Sequence, residues 1–311
     1  MSPAPSTIEE ARQATGEYRA GGTDLQQRLR SGVSSGPPIN LLELPGLDRV
    51  EWDEQGAARI GALVPIAALA GDSRLAAAYP GLIEAAAALA TPQIRAAGTL
   101  GGNLLQRNRC WYYRHPDINC LKKGGEDCPA RTGNHLHGVC FDLGPCVAAH
   151  PSTLGMALLA HGAEVEIAGE GSWQVAALYG DGSDRRRDHQ LSGHEILAEV
   201  LMPPPVDRER GAYFRATSRA LAEWPLVEAL VRLVVTGETI EFARVAVGGV
   251  APVPLRLEGV EEALTGRPAS ADVLERAAKL AASGASPLPM TRYKLDLLAG
   301  TVRETLDRAL A

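Results

Sequence analysis

Five cysteines carry the first chemical signal in this chain. Cys110, Cys120, Cys128, Cys140 and Cys146 all fall within 37 of the 311 residues. Clustered thiols either pair as disulfides or hold metal, and a disulfide framework belongs to exported chains. The N-terminus, MSPAPSTIEEARQATG, has neither a basic start nor an apolar h-region, so reduced thiols in a cytoplasmic protein are expected. Nine residues separate Cys110 from Cys120, and seven separate Cys120 from Cys128. Zinc ribbons and fingers prefer closer pairs. An iron–sulfur cluster needs four thiolates and tolerates irregular spacing. The spacing favours a cluster, with zinc and unliganded thiols as the alternatives. Lys122, Lys123 and Arg131 would favour thiolates and offset a cluster's negative charge. Trp111, Tyr112 and Tyr113 suit either a shield from water or a small satellite core. His115, His135 and His137 share the window and are expected as solvated or hydrogen-bonding residues.

Two glycine-rich turns form the second signal. Ala20-Gly21-Gly22-Thr23-Asp24-Leu25 sits between a strand-like and a helix-like segment. Adjacent glycines let backbone N–H groups converge on an anion, and a following helix adds a positive dipole end. Ala96-Ala97-Gly98-Thr99-Leu100-Gly101-Gly102-Asn103 offers the same chemistry, with Thr99 and Asn103 as polar groups. Neither is a GxGxxG fingerprint or a GxxxxGK phosphate loop. Each alone reads as a plain turn; together they suit a dinucleotide pyrophosphate. No Ser-His-Asp order, HExxH motif or paired carboxylates stand out, so no catalytic residue is assigned.

The elements that position these turns are legible in outline. Ser6 or Thr7 caps a first helix, Tyr18 to Ala20 ends a short strand, and Leu25 to Leu29 starts a helix. Ile39 to Leu42 and Arg59 to Leu63 read as strands, and an alanine-rich helix runs from Pro80 to about Ala90. Ala163 opens an alternating strand. A polar stretch from Tyr179 and the Pro203-Pro204-Pro205 run place a domain boundary near residues 175–210. Beyond it, Trp224 to Val235 reads as an apolar helix, Glu241 to Val247 as a strand, and Ala271 to Ala282 and Leu295 to Leu310 as helices. Trp224 and Gly248-Gly249 are expected as core and turn features. A net charge of −6 without a sustained basic run argues against nucleic acid, and no apolar run is long enough to span a membrane.

AGGTDL, PQIRAAGTLGGNL and CVAAHPSTLGMALLAHGAEVEI together resemble the FAD-binding subunits of the xanthine dehydrogenase and molybdenum hydroxylase family. GGVAPVPLRL resembles that family's final domain, so the likeness covers almost the whole chain. The inserted cysteine loop resembles the type with an extra 4Fe–4S cluster, as in flavin subunits of bacterial aldehyde oxidoreductases and 4-hydroxybenzoyl-CoA reductases. The resemblance implies an α+β fold: an N-terminal FAD-binding subdomain at 1–55, a second at 56–178 with the cysteine loop at 107–147, and a C-terminal α+β domain at 205–311. It assigns Ala20, Gly21, Gly22, Thr23, Asp24, Leu25, Gly98, Thr99, Gly101, Gly102 and Asn103 to FAD. Relatives usually carry Asp after HisProSer, where this chain has Thr153, which is left outside the set.

The resemblance also implies a role. The chain would pass electrons between 2Fe–2S centres of a partner and an external acceptor or donor, while another partner holds the molybdenum cofactor. A signal-bearing partner would take the complex to the periplasm. The alternatives are an electron-input subunit of a hydroxybenzoyl-CoA reductase-like enzyme and a zinc-binding structural subunit without flavin. Cys110, Cys120 and Cys128 belong to every favoured ligand set. Cys146, after the Gly144-Pro145 turn, is preferred as the fourth over Cys140, whose Val139 and Phe141 neighbours suit a buried hydrophobe; the resemblance agrees.

Overall fold

The protein is described as a computed structural model covering residues 4–311. Its first unit is a small βαβ element. Strand Glu17–Arg19 pairs in parallel with Pro38–Asn40, and helix Leu25–Arg30 crosses between them. Ahead of it, helix Ile8–Gln13 begins with a reciprocal cap. Thr7 Oγ1 accepts from the Glu10 N–H, and the Glu10 carboxylate accepts from the Ser6 N–H and hydroxyl.

The second unit is an antiparallel sheet in the order Val50–Trp52, Ala58–Gly61, Leu197–Leu201, Glu164–Ile167, Gly171–Gln174. This sheet begins before residue 56 and takes its central strand from beyond residue 178. Helices Pro80–Ala88 and Thr153–His161 share its core, which holds Ile60, Leu82, Leu154, Val165 and Val200. Both helices are dense in alanine, glycine and leucine, so their backbones approach neighbours closely.

The third unit is a second antiparallel sheet, ordered Leu255–Arg256, Thr239–Gly248, Val227–Thr236, Arg210–Ala216. The expected helix from Trp224 to Val235 is instead the strand Val227–Thr236. Its first eight residues are buried, because helix Lys294–Leu310 packs on one side and helices Pro80–Ala88 and Thr153–His161 on the other. A strand covered on both faces loses the polar alternation that marks a half-exposed one, and its Val-rich composition decides for β. Trp224 lies just outside it and is 53% exposed, not in the core. Gly249 does turn the chain, at φ +74°. Tyr213, Leu230 and Ala246 from this sheet enter the core of the second unit.

The cysteine loop lies between the units. It carries short helices at Trp111–Arg114 and Pro129–Thr132 and a 3-10 turn at Leu121–Lys123. Its far end is sewn to the third unit, where Cys140 and Phe141 both donate their N–H to the Val250 carbonyl.

Candidate functional site

The first glycine turn is open at its backbone. Among the described residues, none of the N–H groups of residues 21–25 donates within the chain. Gly22 makes this possible with a φ of +72°, a conformation that points successive N–H groups the same way. Gly21 has a different reason to be glycine: a Cβ there would lie 1.7 Å from the Ala97 carbonyl oxygen. The two turns therefore touch each other directly.

The second turn is built differently from the expectation. Leu100 donates its N–H to Val64, Gly101 to Ala62, and Gly98 to Ile94. Gly102 donates to the Thr99 hydroxyl, which caps helix Leu100–Leu104. Most of this turn's donors are thus spent on the fold. A Cβ on Gly101 would meet Ala62 Cβ at 2.8 Å, so this glycine permits close packing of two chain segments. Asn103 Oδ1 accepts from the Ser152 hydroxyl and the Leu154 N–H. Even so, all eleven residues expected at a dinucleotide line one of two adjoining cavities of about 130 and 300 Å³. The cavities share Thr23, Thr99, Gly102 and Gln106, which makes them one bent groove.

Asp24 serves the groove indirectly. Its carboxylate pairs with Arg114 at 2.7 Å, Arg109 at 3.1 Å and Arg28 at 3.2 Å, and accepts from the Arg107 N–H. Burial alone would raise its pKa, but Arg109 and Arg114 outweigh that and hold it below the usual carboxylate range. Burial in turn pulls Arg109 down to about 10. Asp24 thus ties the first glycine turn to the start of the cysteine loop. A second clamp holds the same loop: Asp188, almost fully buried, pairs with Arg107 at 2.6 Å and Lys122 at 3.2 Å. The sequence reading passed over these arginines, although the run Arg107, Arg109, Arg114 was visible beside the first cysteine. Thr153 donates its hydroxyl to the buried Glu228 carboxylate at 2.8 Å.

Cys110, Cys120, Cys128 and Cys146 line one small cavity together with Tyr112, Tyr113 and Lys122. Cys140 does not line it; this residue is fully buried in the third unit's core, beside Lys294. Cys128 and Cys146 adjoin each other, an arrangement that pulls the Cys128 thiol down and pushes the Cys146 thiol up. Burial raises the Cys110 thiol. Arg131 caps the far side through a bidentate pair with Asp142 and through the Pro145 and Gly144 carbonyls. Among the described residues, no three His, Cys, Asp or Glu side chains are grouped to hold a metal ion. His135 hydrogen-bonds to backbone carbonyls and accepts from Met290 N–H, while His115 accepts from Asp117 N–H. Tyr113 is buried against this loop, whereas Trp111 is largely exposed.

This groove and its covering sheet belong to a known class. Residues 4–205 match the model of the FAD binding domain in molybdopterin dehydrogenase, and residues 212–309 match the CO dehydrogenase flavoprotein C-terminal domain. The chain belongs to this family, as a FAD-binding, flavoprotein subunit of the molybdenum hydroxylase type and an oxidoreductase component. Among its relatives is the aldehyde oxidoreductase FAD-binding subunit PaoB of Escherichia coli (strain K12), 31% identical over 100% of this chain and 96% of the relative. The carbon monoxide dehydrogenase medium chain of Hydrogenophaga pseudoflava is 24% identical over 88% of this chain and 79% of its own. Two solved structures share the fold at a TM-score of 0.77. They are carbon monoxide dehydrogenase from Hydrogenophaga pseudoflava (21% identity, 99% of this chain, 96% of that one) and quinoline 2-oxidoreductase from Pseudomonas putida 86 (20%, 98% and 95%). No described helix is long and apolar enough to cross a membrane.

Proposed function

We propose that this chain is a flavin and 4Fe–4S electron-transfer subunit of a molybdenum-dependent hydroxylase acting on aldehydes or aromatic heterocycles. In this reading a partner chain binds the organic substrate at the molybdenum cofactor, and another carries 2Fe–2S centres. This chain takes their electrons and delivers them to an external acceptor. Bound FAD supplies the conversion between one-electron and two-electron transfer. The free N–H groups of residues 21–25 would hold its pyrophosphate, and Thr23, Thr99, Gly102 and Asn103 would line its path. The complex is read as cytoplasmic, with export on a signal-bearing partner as the alternative.

The observation that carries the cluster is the shared cavity of Cys110, Cys120, Cys128 and Cys146, from which Cys140 is excluded. A single zinc ion would pull four sulfurs to about 3.7 Å from one another, given Zn–S bonds of about 2.3 Å. In a cluster each thiolate binds a different iron, so a wider cage is needed. Four thiols brought to one cavity from a long loop support the cluster reading. Lys122 and Arg131 stand close enough to offset the negative charge.

Iron analysis of single variants tests the ligand set. Cys110→Ser, Cys120→Ser, Cys128→Ser and Cys146→Ser should each lose most of the iron and the broad visible absorbance. Cys140→Ala should keep both. Iron retained by Cys146→Ser but lost by Cys140→Ala would overturn the assignment.

A further inference from the structure

The cavity shared by Cys110, Cys120, Cys128 and Cys146 has a charged wall. Besides the thiols, Lys122 is the one charged side chain among the residues that line it. Its side chain is only 6% exposed, and its charge acts on the Cys146 thiol. Lys122 Nζ pairs with Asp188 at 3.2 Å and donates to the Asp184 carbonyl at 3.3 Å and to the Arg187 carbonyl. An ammonium has three hydrogens, and all three are spent on the segment 184–188. None is left for a sulfur, so Lys122 acts on the cavity through its charge.

Asp188 is the carboxylate that meets this charge, and among the described residues no other pairs with Lys122. It also meets Arg107 at 2.6 Å. The Arg107 guanidinium stands 5.2 Å from the ring centroid of Tyr113, which lines the cavity too. Asp188 accepts from the Asn108 N–H at 3.3 Å, and Asn108 Oδ1 accepts in turn from the Cys110 N–H at 3.1 Å. Burial would raise the Asp188 pKa, yet Arg107 and Lys122 outweigh it and keep the carboxylate ionised. One carboxylate thus offsets two cations on this wall. The other cations nearby are already answered: Arg131 by Asp142, Arg114 by Asp24, and Lys123 by the His115 carbonyl.

We propose that Asp188 sets the reduction potential of the cluster, holding it low by offsetting Lys122 and Arg107. The proposal rests on the cluster reading above. A cluster on four thiolates is a buried anion, and an added electron makes it more negative. Nearby cations favour that reduced form, and a carboxylate that neutralises them opposes it. Asp188 does not line the cavity, so it works as a positioning residue through the two cations. A centre held at low potential gives its electron up readily, which suits a relay and not a store.

The test uses the full-length chain purified anaerobically, with iron measured and the cluster titrated with dithionite under EPR. Asp188→Asn removes one negative charge at nearly constant shape. It should raise the reduced-to-oxidised ratio at a fixed potential about tenfold, an upward shift of about 59 mV. Lys122→Gln removes a cation and should lower the ratio by a similar factor. Asp188→Asn combined with Lys122→Gln removes one charge of each sign and should return close to the native potential. A purely structural clamp gives another pattern: both single variants loosen the loop and shift the same way, and the double shifts further. That pattern, or potentials that stay unmoved while the cluster is bound, would overturn the role of Asp188 and leave the cluster reading standing. A native chain without iron would overturn the cluster reading itself, and the proposal with it. If Asp188→Asn alone does not retain iron, the double variant is compared with Lys122→Gln. A higher potential in the double supports the proposal, and an equal or lower one overturns it.

Discussion

A carboxylate shared by three guanidinium groups, as Asp24 is by Arg28, Arg109 and Arg114, is costly to neutralise. Asp24→Asn leaves those arginines partly buried without their counter-charge, and should cost about 3 kcal/mol in urea unfolding. Because the folded pKa of Asp24 lies below its unfolded value, its contribution is present above about pH 4 and disappears as pH falls further. Two buried histidines act earlier on acidification. Burial lowers His150 to about 3 and His189 to about 4. The unfolded chain therefore binds protons first, near pH 6.5, and stability should fall from there downward. Melting temperature measured between pH 7 and pH 4 should decline steadily, and His189→Gln should flatten the decline. The glycines show what single residues do and do not reveal. Gly22 and Gly101 are alike in sequence, yet one opens N–H groups and the other permits packing against Ala62. Gly22→Val, at a left-handed φ, should cost about 1–2 kcal/mol and strip the flavin. Gly101→Val should weaken the fold by about 1–3 kcal/mol through overpacking, so flavin loss there tests nothing about the cofactor. The difference depends on what lies across the turn, which no local pattern records.

At the scale of elements, the strand Val227–Thr236 is fixed by what covers it. Arg232 projects from it into a near-complete burial, donating to both Glu209 oxygens at 2.6 and 2.8 Å and to the Ala160 carbonyl at the end of helix Thr153–His161. Glu209→Ala strands that guanidinium, and urea unfolding should register a loss of about 3–5 kcal/mol. The apolar run of this strand has no period of two, so the sequence pattern by itself points to a helix. Elements with one wet face were legible: helix Ala271–Lys279 and helix Lys294–Leu310 keep their amphipathic pattern, and strand Glu164–Ile167 its alternation. The cysteine loop was legible as a metal candidate because residue type and clustering do not depend on packing. Its clamps were not, since Asp188 reaches Arg107 and Lys122 from about 70–80 positions away.

Over the whole molecule, the two matched domains share a hydrophobic core. Tyr213, Leu230 and Ala246 are packed with Leu82, Leu154 and Met156, and the Tyr213 N–H donates to Glu84. Removing the chain beyond residue 210 therefore exposes the core of the remaining part. Such a truncation should aggregate, and the intact chain should melt in one transition by calorimetry. Two separate transitions would show that the domains fold independently. The order of the domains was readable from their glycine and proline motifs; their common core was not, because the contacts span long stretches of sequence. The proposed function places both a flavin groove and a four-thiolate cage on one polypeptide. Cofactor stoichiometry of anaerobically purified full-length chain tests it most directly, by quantifying FAD, iron and acid-labile sulfide per polypeptide. One FAD with about four iron and four sulfide is the expected result. A chain that holds FAD with a single zinc, or with no metal at all, would contradict it.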